Sequence, residues 1–236
     1  MKWTLTKSPP PLKPCEAHIW LVDLDQLTNQ EVFLNDAEKN KIKKMTVALH
    51  RQRFINARGT LRKLLAHYLH CDPKIITLMT TSRGKLYLKN DPDKIFFNLT
   101  HSKNLAIYAF NYQYEIGVDI EVKRILENLF DIAERIFSPI ELDYLYNKNS
   151  SPSQKEKFFI LWTRKEALVK ATGDGLSAPV RNITTTLADG TLNSDIEYAT
   201  HLNLALFELP AIKNFSATLA ANKNLMNHYY FALAKN

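Results

Sequence analysis

The chain has 236 residues, of which 45% are hydrophobic and 23% charged, an ordinary composition for a globular protein. This composition excludes collagen-like, low-complexity and disordered chains. The residues before Pro9 contain no apolar run typical of a secretory signal, and no stretch of about 18 apolar residues predicts a membrane-spanning helix. Two cysteines, Cys15 and Cys71, are too few for a disulfide framework, so we expect reduced thiols and a cytoplasmic location.

Basic residues outnumber acidic ones by 31 to 24, which gives a net charge of +7. A surplus of this size indicates an anionic partner. Nucleic acid, a polyphosphate cofactor, an acidic protein and an anionic membrane would each satisfy it, and charge alone does not choose among them.

The first half of the chain predicts two helices and several short strands. An apolar run at 17–22 predicts a strand. Asp36 predicts the cap of a helix that begins at Ala37, and an apolar stripe predicts a second helix over about 51–69. Short strands are then expected at 85–88, 96–99, 105–110 and 116–122.

The second half repeats this order of helices followed by strands. Helices are predicted over 129–137, over 139–146 with Ser138 as the cap, and over 154–171, and a last strand is predicted at 228–233. The sequence therefore predicts an α+β fold of two related halves, residues 1–115 and residues 116–236.

Asp119 and Glu121 are separated by one residue in a β-branched run. A strand has a period of two, so both carboxylates should share one face while Val118 and Ile120 point to the core. Adjacent like charges repel, and a divalent cation would neutralise them; oxygen-only ligands favour magnesium. Two solvated acids on an exposed sheet face explain the same pattern equally well.

Three further features are weaker when each is taken alone. Glu166 and Lys170 share a helix face, which is typical of a surface ion pair. The polar segment 98–102 is expected to leave a strand for a turn that can hold phosphate. Arg53, on the apolar side of its helix, and Lys85, in a turn after a glycine, are candidate phosphate contacts.

Taken in order, five segments resemble the 4′-phosphopantetheinyl transferases of the surfactin-synthetase-activating type. The matching segments are 84–85, 97–102, 117–121, 132–138 with Glu141, and 162–176. The resemblance covers roughly residues 36 to 180 and rests on the order and spacing of the five. Two positions depart from the family pattern, since Thr100 replaces a serine and Leu86 replaces a proline.

The resemblance implies a pseudo-dimer of two similar α+β halves with coenzyme A bound between them. It implies that the C-terminal half supplies the magnesium ligands and the carrier docking surface, and that the N-terminal half contacts the coenzyme A nucleotide. The implied magnesium ligands are Asp119, Glu121 and Glu166. The implied coenzyme A contacts are Arg53, Lys85, Thr100, His101 and Lys170.

The implied reaction transfers 4′-phosphopantetheine from coenzyme A to a serine of an apo acyl or peptidyl carrier protein and releases 3′,5′-adenosine diphosphate. The catalytic residues would be Glu166 as the base, with Lys170 and His101 stabilising the transferred charge. The resemblance also implies a cytoplasmic monomer with no nucleic-acid or membrane partner, in fatty acid, polyketide or nonribosomal peptide biosynthesis.

A metal-dependent nuclease is the alternative. Glu121 and Lys123 have the Glu-x-Lys spacing found on a strand in many restriction-type nucleases. That site also needs an aspartate at the end of a preceding strand, whereas Asp91 and Asp93 come before a strand. The nuclease interpretation leaves the segment 162–170 unexplained.

Overall fold

The computed structural model describes residues 1–89, 94–147, 151–175, 178–193, 196–225 and 227–234. Asp91 and Asp93 of the nuclease interpretation and Leu176 of the fifth family segment lie outside these ranges. The helices are α1 (Asp36–Lys43), α2 (Ala48–Tyr68), α3 (Leu129–Ile136), α4 (Pro139–Tyr146) and α5 (Gln154–Thr172). The strands are β1 (Thr4–Thr6), β2 (Glu16–Asp23), β3 (Leu78–Thr80), β4 (Leu86–Leu88), β5 (Phe96–Ser102), β6 (Leu105–Asn111), β7 (Gly117–Val122), β8 (Leu204–Glu208), β9 (Phe215–Asn222) and β10 (Asn227–Leu233).

Local sequence determines where the helices of the second half begin and end. Helix α4 begins after a capping box, in which the Ser138 side chain accepts from the Glu141 N–H and the Glu141 side chain accepts from the Ser138 N–H. Ser153 and Glu156 form the same device at α5, which ends at Gly173 with φ of 77°. These termini confirm the predicted helices to within a residue.

The structure corrects the start of α1. Asn35, and not Asp36, is the cap: its Oδ1 accepts from the Glu38 N–H at 2.9 Å. The Glu38 carboxylate in turn accepts from the Asn35 N–H at 3.1 Å. A glutamate three residues after the cap completes this reciprocal pair, which the aspartate at 36 would lack.

The structure also corrects the end of β5, which continues through Ser102 instead of turning after Leu99. Main-chain pairing with β6 extends to the pair Ser102 and Leu105, so residues 100–102 are strand and only the two residues between the strands form the turn. The polar side chains at 100–102 suggested a turn. In the structure, Thr100 and Ser102 instead bond to side chains of β7.

Two sheets form the centre of the molecule. The larger has the strand order β1-β10-β2-β6-β5 and the smaller the order β7-β9-β8, while β3 and β4 form a separate hairpin. Strand β10 lies between β1 and β2 and is parallel to both. The chain therefore returns at its end to the sheet of the first half, and the division at residue 115 stays a prediction.

The sheets pack face to face, with a helix on each outer side. On β2, Trp20 packs towards Leu61 of α2, whereas the alternate residue Ile19 packs towards Val118 of β7. Ala167 of α5 covers the outer face of the smaller sheet. Four layers result, helix–sheet–sheet–helix, and the α+β class is confirmed. None of the helices in the described ranges combines the length and apolar character needed to cross a bilayer.

A buried histidine should make the stability of this core depend on pH. His18 on β2 is 1% exposed, and its Nδ1 lies 2.9 Å from the Tyr68 hydroxyl, which accepts from the Trp20 indole N–H. Burial lowers the pKa of His18 from 6.5 to about 4. The folded state therefore favours the neutral ring. The resulting contribution of His18 to the free energy of unfolding is complete above pH 6.5 and is lost as the pH falls towards 4.

We expect about 2 to 3 kcal/mol of unfolding free energy to disappear between pH 7 and pH 4.5 on account of this one group. Urea unfolding at the two pH values measures this loss. The free energy of unfolding of His18→Gln should fall between pH 7 and pH 4.5 by that much less than the free energy of the wild type. The exposed His50→Gln is the control and should keep the dependence of the wild type. An equal pH dependence in all three proteins would show that His18 is not the group responsible.

Candidate active site

The two carboxylates of β7 lie on one face of the strand, as predicted. Val118 and Ile120 are fully buried on the other face, between the sheets. Asp119 is only 2% exposed and Glu121 is half-buried. The alternative of two solvated acids is therefore wrong for Asp119, because α5 covers this face of the strand.

A glycine at the start of β7 allows α5 to lie directly on it. A Cβ atom on Gly117 would be 2.1 Å from the Ala167 carbonyl oxygen and 2.3 Å from the Ala171 nitrogen. Both are backbone atoms of α5, so a side chain at this position would push the helix away. This close approach brings Glu166 and Lys170 of α5 to the carboxylates of β7.

Lys170 joins the two halves of the chain. Its Nζ lies 2.5 Å from Asp119 Oδ1 and donates to Thr100 Oγ1 at 3.1 Å. The Thr100 hydroxyl donates in turn to Asp119 Oδ1 at 3.1 Å. The surface pair with Glu166 expected from the helix spacing is thus replaced by an ion pair with Asp119, in contact with β5 of the first half.

The carboxylates influence one another. Burial raises the pKa of Glu166, and the charge of Asp119 raises it further, while Lys170 lowers it. Burial also raises the pKa of Glu121, with Asp119 adding to the effect. Asp119 Oδ2 is buried and has no hydrogen-bond partner within the described part of the chain. The three carboxylates therefore lie close enough to influence one another, and one of them has an unsatisfied buried oxygen.

These residues suit a hard divalent cation in their chemistry, although they are not closed into a metal site. Across the described ranges, no three His, Cys, Asp or Glu side chains are arranged to hold a metal ion. The donors are nonetheless all carboxylate oxygens that repel one another, and an unpartnered buried oxygen needs a positive partner. The donor atoms of Asp119, Glu121 and Glu166 therefore suit magnesium in their chemistry, and in this structure Asp119 is paired with Lys170.

A cavity of about 310 Å³ opens beside this cluster. Its walls come from the turn and strands at 84–86 and 97–99 of the first half and from the C-terminal part of α5. Lys85, Glu166 and Lys170 all line it. Both halves of the chain therefore contribute to one cleft, and Glu166 of the carboxylate cluster lies in its wall.

Of the predicted contacts Lys85 and Arg53, only Lys85 lines this cleft. Its ammonium group donates to the Glu115 carboxylate and, at 2.5 Å, to the Ala171 carbonyl oxygen. The Arg53 guanidinium makes two bonds to Asp25, Nε to Oδ1 at 2.8 Å and Nη2 to Oδ2 at 2.7 Å.

His101 lies on β5, close enough to Lys170 and Arg53 to be influenced by their charges. Partial burial lowers its pKa, and the positive charges of Lys170 and Arg53 lower it further. The ring is therefore neutral at pH 7 and offers a hydrogen bond rather than a charge. The structure brings Asp119, Glu121, Glu166, Thr100 and Lys170 together, places His101 and Lys85 nearby, and leaves Arg53 at the side.

One contact of the site escaped the sequence analysis. Ser102 donates from its hydroxyl to Glu121 Oε2 at 2.9 Å. The signal was present in the sequence, because Asn98, Thr100 and Ser102 alternate along β5 and so share a face. Interpreting 100–102 as a turn concealed this alternation.

Comparison with known proteins gives the same family as the sequence motifs. The family described as the 4′-phosphopantetheinyl transferase superfamily matches residues 115–220. The chain is 38% identical over 169 residues to the 4′-phosphopantetheinyl transferase HetI of Nostoc sp., an alignment that covers 69% of this chain and 70% of that protein.

Two bacterial relatives are more distant. The 4′-phosphopantetheinyl transferase gsp of Aneurinibacillus migulanus is 34% identical over 136 residues, 55% of this chain and 56% of that protein. The 4′-phosphopantetheinyl transferase Sfp of Bacillus subtilis is 32% identical over 137 residues, 58% of this chain and 59% of that protein. Because the similarity to HetI covers more than two thirds of each protein and the family match includes the segment that carries the carboxylates, the chain belongs to the 4′-phosphopantetheinyl transferase superfamily.

Proposed function

We propose that this protein transfers 4′-phosphopantetheine from coenzyme A to a serine of an apo acyl or peptidyl carrier protein, releasing 3′,5′-adenosine diphosphate. One observation carries the proposal: Glu166 and Lys170 line a cleft to which both halves of the chain contribute, and Lys170 pairs with the buried Asp119 behind it. We assign it to the surfactin-synthetase-activating type, which the similarity to Sfp supports.

Coenzyme A would lie along the cleft, with its phosphates among the polar groups from the two halves. Lys170, Thr100 and His101 would contact the pyrophosphate. Lys170 adds charge, and His101, neutral in the free protein, contributes a hydrogen bond. Arg53 and Lys85 would hold the 3′-phosphate and the adenine end, in keeping with a division into a nucleotide-binding half, 1–115, and a half that holds the metal ligands, 116–236.

Asp119, Glu121 and Glu166 would hold magnesium together with the pyrophosphate. When bound there, the ion would neutralise charge on the pyrophosphate oxygens and so favour departure of the leaving phosphate. The cluster suits this role because its mutually repelling carboxylates need a cation close to them.

The chemistry left to the protein is positioning and proton transfer. The serine oxygen of the carrier forms a bond to the β-phosphorus of coenzyme A. The bond between that phosphorus and the bridging oxygen breaks, and the bridging oxygen leaves with 3′,5′-adenosine diphosphate. Glu166 takes the serine proton, because a carboxylate with a raised pKa accepts a proton more readily near neutral pH. Lys170 stabilises the charge that accumulates on the phosphate oxygens.

The carrier would dock on helix α4. Ile140 and Tyr146 on this helix are 44% and 39% exposed, and the ring of Phe130 on α3, itself 46% exposed, lies 5.5 Å from that of Tyr146. Phe130 and Tyr146 therefore form an exposed aromatic pair, and Ile140 adds a further exposed apolar side chain on the same helix as Tyr146. The net charge of +7 should favour approach of an acidic carrier, so association should weaken as salt rises.

Replacing Ile140 by aspartate should raise the KM for the carrier about tenfold and leave kcat nearly unchanged, because the change removes docking contacts and not reacting groups. Steady-state kinetics with varied carrier would measure this. Ile75→Asp is the control, since Ile75 is 69% exposed and lies in the first half. A carrier KM unchanged in I140D would place the docking surface elsewhere.

We further propose that the protein acts as a cytoplasmic monomer without a nucleic-acid or membrane partner. Support for a monomer comes from the cleft, where a single chain supplies residues from both halves. The nuclease alternative has lost its support. Lys123, which that site would need beside Glu121, pairs with Glu156 at 3.3 Å.

Incubation with coenzyme A, magnesium and an apo carrier protein tests the proposal, with supercoiled plasmid as a parallel substrate. The carrier should gain the mass of phosphopantetheine, 3′,5′-adenosine diphosphate should appear in equal amount, and the plasmid should stay intact. Nicked plasmid with unmodified carrier would favour the nuclease and overturn the proposal.

A further inference from the structure

Side chains connect the two sheets along one seam. Strands β5 and β7 belong to different sheets and lie next to each other. Asn98 Oδ1 accepts from the Val118 N–H at 3.0 Å, and Ser102 Oγ accepts from the Val122 N–H at 3.1 Å. Each donor lies 20 positions after its acceptor, so the two strands run in the same direction in a fixed register.

Ser102 forms a second bond at this seam, to one of the proposed magnesium ligands. Its hydroxyl donates to Glu121 Oε2 at 2.9 Å. A hydroxyl has one proton to donate and two lone pairs to accept, so the bonds to Glu121 and to the Val122 N–H form together. Across the described part of the chain, no other side chain forms a hydrogen bond or ion pair with Glu121. Ser102 is 8% exposed, so water competes little for these bonds.

We propose that Ser102 is a positioning residue that fixes the orientation of the Glu121 carboxylate within the proposed magnesium site. The proposal rests on the proposed function, because it gives this orientation a role in magnesium binding. Alternate residues of β5 then hold the two carboxylates of β7, Thr100 at Asp119 and Ser102 at Glu121. The ligands belong to the second half of the chain, and the side chains that orient them belong to the first.

A carboxylate that has lost its hydrogen-bond partner is free to move before the metal binds, so binding must also order it. Loss of a supporting hydrogen bond of this kind typically lowers metal affinity 10- to 100-fold. We therefore expect Ser102→Ala to bind magnesium about tenfold more weakly. Calorimetric titration of magnesium into the protein saturated with coenzyme A, without carrier, measures this directly. The half-saturating magnesium concentration for carrier modification should rise by the same factor.

Ser216→Ala is the matched control. Ser216 is 9% exposed and lies opposite Glu121 in the β7–β9 register, but its hydroxyl contacts Thr163 Oγ1 at 3.2 Å and not a carboxylate. It should keep the magnesium affinity of the wild type. Ser102→Thr, which retains the hydroxyl, should also bind magnesium as the wild type does.

Ser102→Cys keeps nearly the volume of serine with a weak donor, so it should reproduce the weaker magnesium binding even if the alanine variant does not fold. Wild-type magnesium affinity in the folded Ala or Cys variant would overturn the role of Ser102. Failure of the wild type to modify any carrier would refute the proposed function instead, and the titration would still decide how Ser102 acts on the carboxylates.

Discussion

Replacing Asp119 by asparagine should lower the rate of carrier modification by about 100- to 1000-fold at saturating coenzyme A and carrier. The change keeps the shape of a side chain that is 2% exposed but removes the charge that pairs with Lys170 and that would bind magnesium. Glu166→Gln should lower the rate at least as far, because it removes a metal ligand and the proposed base together.

Single-turnover measurements with excess enzyme would give these rates without interference from product release. Asp36→Asn is a control of the same chemistry at an exposed position in the first turn of α1 and should react like the wild type. If D119N or E166Q modified the carrier at the wild-type rate in magnesium, the assignment of the site would be wrong.

The largest effect on stability should come from Lys165, the neighbour of Glu166 on α5. Its ammonium group lies 2.7 Å from Glu141 Oε2, and the two side chains are 2% and 0% exposed. Lys165 also donates to the Val180 and Ile183 carbonyl oxygens, and Glu141 accepts from the Thr185 N–H at 2.8 Å. This pair links α4 and α5 to the segment that follows them.

Lys165→Met should lower the free energy of unfolding by about 3 to 5 kcal/mol, because it leaves the Glu141 charge buried without a counter-charge. Urea unfolding monitored by circular dichroism measures this. Adding Glu141→Gln to the same chain should recover part of the loss. The control Lys123→Met breaks the partly exposed pair with Glu156 and should change stability by less than about 1 kcal/mol. A loss in K165M no larger than in the control would show that the buried pair contributes little.

Much of the fold could be predicted where its signals are local. Ser138 and Ser153, each followed three residues later by glutamate, mark the starts of α4 and α5, and Gly173 marks the end of α5. The position of β10 could not be predicted in this way. Its parallel pairing with β1 and β2 joins residues more than 200 positions apart, and no short motif records such a contact.

In the candidate site, too, the features set by local sequence could be predicted and those set by packing could not. The period of a strand is enough to place Asp119 and Glu121 on one face, and a helix repeat places Glu166 near Lys170. The partner of Lys170 depends on how α5 packs on β7, which Gly117 permits by lacking a side chain. That contact is a property of the assembled layers, so the helix repeat suggested Glu166 as the partner instead of Asp119.

The role of the polar residues on β5 was hidden for a related reason. Alternating polar residues normally mark a solvent-facing strand surface or, in a short segment, a turn. Here Thr100 and Ser102 are buried and their hydroxyls bond to carboxylates of the neighbouring sheet. Only the packing of β5 beside β7 distinguishes these cases.

The most direct test of the account is tandem mass spectrometry of an apo carrier protein after incubation with this protein and coenzyme A, with magnesium in one sample and excess EDTA in the other. We predict phosphopantetheine on a single carrier serine in the magnesium sample and unmodified carrier in the EDTA sample. Unmodified carrier in both samples, or equal modification in both, would contradict a magnesium-dependent transfer at the Asp119, Glu121 and Glu166 cluster.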